Sequence, residues 1–169
     1  MNEPLGSAPL PPPGPEDHLR GPEDAPLLIE YADYECPFCA ALHSRLRSVE
    51  HRLVFRHFPV RSSHPRAWAA ATAAEAAGYQ GRFWEMHDAL LDDPARLEDP
   101  HLWQRAERLG LDIERFDSDR RSEAAAARVQ RDFRSGVRAG VVTTPTVFVF
   151  SEGRAVPVSN EALLARLRR

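Results

Sequence analysis

Leu27-Leu28-Ile29-Glu30-Tyr31-Ala32-Asp33-Tyr34-Glu35-Cys36-Pro37-Phe38-Cys39 is the stretch that decides the fold. The short, mostly apolar run that follows Pro26 reads as a core strand over Leu27–Ala32. Beyond the cysteines, Leu42, Leu46 and Val49 recur at helical spacing, so a helix is expected from near Cys36 to about His51. Pro37 suits its first turn, where a missing N–H costs nothing. Both cysteines of the chain therefore sit where a strand hands over to a helix. A C-x-x-C in that place is a redox arrangement. The helix N-terminus carries roughly half a positive charge and turns free N–H groups toward Cys36, which favours the thiolate, the reactive form. Cys39 lies nearly one turn on, so the two sulfurs can join in a small ring. Position makes Cys36 the nucleophile and Cys39 the resolving thiol. The competing reading is a pair of buried structural cysteines.

Outward from this unit, Leu53-Val54-Phe55-Arg56-His57-Phe58 reads as a second strand stopped by Pro59. Residues from about 64 to 139 are helical in character. The segment 67–77 holds eight alanines, strong helix formers. Phe83–Leu91 is a short helix ended by Asp92-Asp93-Pro94, and His101–Leu109 is another, with Gly110 after it. A long helix from about Ser122 to Ala139 has an apolar stripe of Val129, Phe133 and Val137. After Gly140 the pattern returns to strand with Thr146-Val147-Phe148-Val149-Phe150, a turn over Ser151–Arg154 and a paired strand over Ala155–Val158. A helix over Asn160–Arg168 closes the chain. The order is βαβ, a helical block, then a β-hairpin and a helix.

The composition sets limits on this. A chain of 169 residues fits one domain and can bury a core without disulfide staples. Two cysteines close at most one bridge, so a disulfide scaffold is excluded. All 22 basic residues are arginine, which rules out lysine-based catalysis. A net charge of −3 leaves no footprint for nucleic acid. No apolar run is long enough for a membrane span. Eight of the fifteen prolines fall in residues 1–26, and residues 1–17 read as a flexible, extended leader that cannot build a core. The N-terminus has neither the basic start nor the apolar stretch of a secretory signal, so the expected compartment is the cytoplasm, or the periplasm if a leader has been trimmed.

Other residues stand out. Glu30 interrupts an apolar strand; burial there raises a carboxyl pKa and suits a proton carrier for Cys39, unless a strand edge leaves it in water. Thr143-Thr144-Pro145-Thr146 sets a proline against the start of a strand, which a cis Thr144–Pro145 bond would resolve. The backbone of Thr144 would then be free to pair with an extended substrate beside Cys36. Cys36, Cys39 and His43 also read as C-x2-C-x3-H, but no fourth ligand follows at a suitable spacing, so no metal is expected there and His43 is read as a surface or partly packed residue. Arg128, Arg131, Arg134 and Arg138 form either a basic face toward the Pro145 loop or a solvated one. Trp68, Trp84 and Trp103 are expected to pack the inserted helices. There is no Gly-rich phosphate loop, and no cofactor is expected, since the dithiol is its own redox carrier.

Arg20-Gly21-Pro22-Glu23-Asp24-Ala25-Pro26, the segment Glu30 to Cys39, Phe55-Arg56-His57-Phe58-Pro59, Gly81-Arg82-Phe83-Trp84 and Gly140-Val141…Thr144-Pro145-Thr146 together resemble the DsbA-like thioredoxin-fold thiol–disulfide oxidoreductases over residues 18–169. The resemblance implies an α/β fold. Its thioredoxin core would occupy about 18–62 and 140–169, with a helical domain, about 63–139, inserted between its βαβ and ββα halves. It also implies Cys36 as an exposed nucleophile, Cys39 as its buried partner, Glu30 as the buried acid under the disulfide, and Pro145 as a cis-proline. Pro37, Phe38, Thr144 and Pro145 would contact substrate. Phe38 stands where the best-known member has His, and Thr143 where relatives often have Gly. The first change implies a higher Cys36 pKa and a less oxidising couple. The implied partners are a thiol- or disulfide-containing protein or small molecule and an electron donor or acceptor for recycling, with a reductive bias in a cytoplasm. Two alternatives remain: a redox-inert binding module on the same fold, and a glutathione-dependent isomerase or transferase of similar architecture. The intact cysteine pair argues against the latter.

Overall fold

The computed structural model describes residues 8–168. Five strands form one sheet in the order β1-β3-β2-β4-β5: β1 (His18–Arg20), β2 (Leu27–Ala32), β3 (Arg52–His57), β4 (Thr146–Ser151) and β5 (Arg154–Val158). β2 and β3 run parallel, and α1 (Pro37–Leu46) makes the crossover between them. β4 lies antiparallel to β2, and β5 antiparallel to β4. The last helix, α7 (Asn160–Leu167), follows, with the Ser159 hydroxyl capping its start by accepting from the Ala162 amide. The helices between β3 and β4 are α2 (Ala67–Gly78), α3 (Phe83–Asp92), α4 (Asp99–Arg108), α5 (Ile113–Asp119) and α6 (Glu123–Arg138). This is the thioredoxin-like α/β architecture with a helical insertion between its βαβ and ββα halves.

Two elements have no counterpart in the sequence reading. β1 is a three-residue strand paired with β3, too short for a period-two pattern to be legible. α5 is brief and mostly polar, held by the Asp112 carboxylate accepting from the Arg115 amide. Conversely, α1 stops at Leu46 rather than running to His51. There Ser48 and Val49 donate to Arg45 and Leu46 in tighter turns that deliver the chain to β3.

The sheet is buried on both faces, and β2 shows the alternation. Leu28 joins Leu42, Leu46, Leu53, Val147, Val149, Leu163 and Leu164 on the face covered by α1 and α7. Ile29 and Tyr31 join Val54, Phe58, Val141 and Phe148 on the other face, against Phe133 and Val137 of α6. Side chains alternate along a strand, so Glu30 shares the face of Leu28 and points into the apolar side beneath α1. Gly136 lets α6 approach that sheet closely: a Cβ there would lie 2.8 Å from Phe58 ring carbons and 2.9 Å from the Tyr31 ring.

The expectation of a flexible leader over 1–17 is corrected for residues 8–17; residues 1–7 lie outside the described residues. Arg56 of β3 reaches out of the sheet and donates to the Pro11 and Pro12 carbonyls at 2.9 and 3.2 Å and to Asp17 at 2.9 and 3.1 Å. The Arg56–Asp17 pair is buried, and the Ala8 amide donates to the Arg138 carbonyl. Prolines have no N–H, so the stretch Pro11–Pro13 offers only carbonyls, and a buried guanidinium with several donors satisfies those of Pro11 and Pro12. The same segment meets half of the arginine face of α6: Arg128 donates to the Glu16 carbonyl and Arg131 pairs with Glu16. Arg134 and Arg138 are exposed, as the solvated reading expects.

Trp68 and Trp84 pack against the inserted core, while Trp103, more exposed, donates its indole N–H to Asp117 at 3.0 Å.

Candidate active site

Cys36 is the N-cap residue of α1, extended at φ −78° and ψ 119°, with Pro37 in the first turn and no side chain capping the helix. The Cys39 and Ala40 amides donate to the Cys36 carbonyl at 3.1 and 3.2 Å, and the Phe38 and Cys39 amides lie near enough to the Cys36 sulfur to favour its thiolate. Cys36 and Cys39 are both free thiols. Across the site the Thr144–Pro145 peptide is cis, and the Thr144 carbonyl accepts from the Cys36 thiol at 3.5 Å. This close approach corrects one expectation. Cys36 was expected to be exposed, yet it is only 3% accessible, because the Thr144 loop lies against it. Phe38 is the outward residue of the motif, at 71%.

The two thiols differ in their electrostatics. The Cys36 pKa is lowered to about 5, by the Cys39 thiol first, then by the Thr144 side chain and the Cys39 and Phe38 amides, against an opposing effect of burial. The missing His at position 38 is thus offset by donors from Cys39 and the helix start. The Cys39 thiol is pushed well above its ordinary value, by burial first, then by its hydrogen bond to Cys36 and the nearby charge of Glu30. The Asp33 amide, 3.5 Å from the Cys39 sulfur, works weakly the other way.

Glu30 is buried and its Oε1 has no hydrogen-bond partner. Burial raises its pKa to about 7, with the charge of Arg20 opposing. The strand-edge alternative for this residue does not hold, since β2 is flanked by β3 and β4. A cavity of about 510 Å³, lined by Arg20, His43 and Asp88 among others, reaches Glu30 from the surface.

Sequence reasoning missed the residues that fix the loop before Cys36. The Asp33 carboxylate accepts from the Glu35 amide, the Val60 amide and His64 Nδ1, each at 2.8 Å. Glu35 accepts from the Arg66 amide and guanidinium at 2.7 and 2.9 Å. The Tyr34 hydroxyl pairs with His87 Nδ1 at 3.1 Å. Three successive side chains thus tie the approach to the dithiol onto the insertion. The one local signal was the Asp-x-Glu pattern directly before Cys36.

A family model described as thioredoxin matches residues 14–168. The chain belongs to the thioredoxin family. Among solved structures, it is similar to a thioredoxin-like oxidoreductase from Silicibacter pomeroyi, with a TM-score of 0.76, 26% identity and 92% of each chain covered. It is also similar to Pseudomonas aeruginosa DsbA2, with a TM-score of 0.72, 27% identity, and 91% and 94% of the two chains covered. The DsbA-like resemblance of the motifs therefore extends to the whole fold. Among curated sequences, it is 42% identical over 155 residues to a protein of Salinispora tropica named Na(+)/H(+) antiporter NhaA 3, covering 88% of this chain and 24% of that one. The chain spans about a quarter of the length of the curated relatives it matches. No helix among the described residues is long and apolar enough to cross a membrane.

Proposed function

We propose that this thioredoxin-family chain is a thiol–disulfide oxidoreductase working through Cys36 and Cys39. The observation that carries the reading is the split between the two thiols, Cys36 lowered to about 5 and Cys39 raised. One sulfur stands ready as a thiolate and the other holds its proton until needed.

In the reducing direction, the Cys36 thiolate attacks one sulfur of a substrate disulfide. A Cys36–substrate bond forms, and the other substrate sulfur leaves as a thiolate. Cys39 then loses its proton and attacks Cys36 Sγ, expelling the second substrate thiolate. Two electrons pass to the substrate and a Cys36–Cys39 disulfide remains for a partner to reduce. The oxidising direction is the reverse. Glu30, with a pKa of about 7, is the group suited to take the Cys39 proton and return it through the cavity that reaches it. The backbone of Thr144, already at the nucleophile, offers a place for an extended segment of the substrate to dock. Phe38, Val142 and Pro37 give the rim an apolar character, Val142 being 89% accessible.

The expected reductive bias rested on cytoplasmic surroundings. The lowered Cys36 pKa supports the opposite bias, because stabilising the thiolate stabilises the reduced pair and makes its disulfide the stronger oxidant. The test is the equilibrium of the Cys36–Cys39 pair with a glutathione redox buffer. A potential well above roughly −270 mV, the thioredoxin value, agrees with an oxidant. A value at or below it overturns that direction, and failure to form the intramolecular disulfide overturns the function.

A further inference from the structure

Two clusters of histidine and carboxylate lie outside the dithiol. In the first, Glu75 Oε1 accepts from His18 Nε2 at 2.7 Å and His57 Nε2 at 2.6 Å, so its groups are already spent on one another. The second is different. His43 of α1 and His87 and Asp88 of α3 each bring one ligand-type atom within 4.8 Å of the others. His43 Nε2 and His87 Nε2 are both buried, and neither has a hydrogen-bond partner. The sequence reading of His43 as a surface or partly packed residue is corrected here, since only 4% of it is accessible.

Two buried imidazole nitrogens without hydrogen-bond partners are costly in a protein interior unless something fills the space beside them, and His43 Nε2 has Asp92 Oδ1 at 3.8 Å as well as Asp88 nearby. Each detail suits a cation with nitrogen and oxygen ligands. His87 Nδ1 pairs with the Tyr34 hydroxyl at 3.1 Å. In the tautomer whose Nδ1–H donates to Tyr34, Nε2 presents its lone pair, as in histidine ligands held by an outer hydrogen bond. His43 Nε2 is already 3.6 Å from Asp88 Oδ1, close to the spacing of two ligands on one tetrahedral ion. The cavity beside Glu30 is lined by His43 and Asp88 and supplies an entry path. Arg20 donates to both Asp88 oxygens at 2.8 and 3.0 Å, but a carboxylate has further lone pairs to share with an ion.

We propose that His43, His87 and Asp88 form a binding site for a divalent first-row transition-metal ion in the cleft between α1 and α3, separate from the cysteines. Two imidazoles and a carboxylate suit zinc and its neighbours, with water completing the coordination. The site is distinct from the C-x2-C-x3-H pattern: His43 turns to α3 and not to the thiols.

Zinc titration of the metal-free Cys36→Ser/Cys39→Ser chain, followed by competition with a chromophoric chelator, tests this. One zinc per chain is expected, weakened at least roughly tenfold by His43→Gln and by Asp88→Asn in the same background. Asp88 is partly exposed, so Asp88→Asn serves where a buried histidine variant fails to fold. Cobalt in the unsubstituted reduced chain should give visible d–d bands without the near-ultraviolet band of a thiolate ligand. No stoichiometric zinc in the serine background, affinity indifferent to both variants, or a thiolate–cobalt band would each overturn the site. None of these outcomes bears on disulfide exchange, so the two readings stand or fall separately.

Discussion

The Cys36 sulfur lies 3.5 Å from the Thr144 carbonyl oxygen, although 108 residues separate them in the chain. The contact joins the two halves of the fold, since Cys36 opens α1 after β2 and Thr144 precedes β4. A thiol donating to a carbonyl keeps that contact only while protonated. With its pKa lowered to about 5, Cys36 is a thiolate at neutral pH, which leaves the Thr144 carbonyl free of the sulfur and able to meet an incoming chain.

The first prediction concerns the division of labour between the thiols. Cys39→Ser leaves the nucleophile and removes the resolving group, so a mixed disulfide with a peptide or protein substrate should accumulate at Cys36 and be visible by non-reducing electrophoresis or mass spectrometry. Cys36→Ser should form none and lose insulin-type disulfide reduction. Full activity in Cys36→Ser with loss in Cys39→Ser would reverse the assignment.

The second concerns pH. Thiolate absorbance of the reduced protein should titrate with a midpoint near 5 for Cys36. The folded pKa lies below that of an unfolded thiol, roughly 8.5, so the thiolate stabilises the reduced fold. That contribution is fully present above the unfolded value and is lost as pH falls toward 5. Urea unfolding of the reduced chain should accordingly weaken, relative to the oxidised chain, between about pH 8.5 and 5. In Cys39→Ala the midpoint should rise, because the Cys39 thiol is the largest influence lowering it. An unchanged midpoint in that variant would assign the shift to the helix amides instead.

Much of this was legible because it is local. The strand–C-x-x-C–helix junction, the alanine-rich α2 and the amphipathic α6 are read from spacing alone, and they gave the order of elements and both cysteines. The near-burial of Cys36 was not, since it depends on where a loop 108 residues away comes to rest. Arg56 is another case. Within a strand it looks like an exposed alternate residue, yet it is buried because the Pro-rich segment folds back over it. The proline count pointed to an extended, flexible chain, and not to the guanidinium that holds it. His43 and His87 lie on different helices, and only the packing of α1 on α3 makes them neighbours.

The third prediction follows from Arg56. Arg56→Gln should leave Asp17 without its buried cation, a cost the chain avoids by letting residues 8–17 loosen from the sheet. Breaking such a pair from one side costs on the order of 3–5 kcal/mol. Chemical denaturation should show a lower midpoint, and limited proteolysis should newly cleave within 8–17. Asp17→Asn with Arg56→Gln should recover part of the loss, since no lone charge remains. Unaltered proteolysis in Arg56→Gln would mean that the carbonyl contacts to Pro11 and Pro12 contribute nothing to holding the segment.

Glu30 yields the last prediction, with the opposite sign to Cys36. Its folded pKa of about 7 lies above the ordinary carboxyl value of 4.5. The neutral acid is the form the fold prefers, so its contribution is fully present below about 4.5 and is lost as pH rises through 7. Glu30→Gln keeps the shape without the charge. The variant should therefore be more stable than the parent at pH 8, on the order of a few kcal/mol, and should converge with it near pH 4. The same substitution removes the proton acceptor for Cys39. Resolution of the mixed disulfide, followed by stopped flow, should slow and lose its inflection near pH 7. A variant that gained stability at pH 8 but resolved the mixed disulfide with the parent's pH profile would leave Glu30 as a buried charge without a part in the exchange.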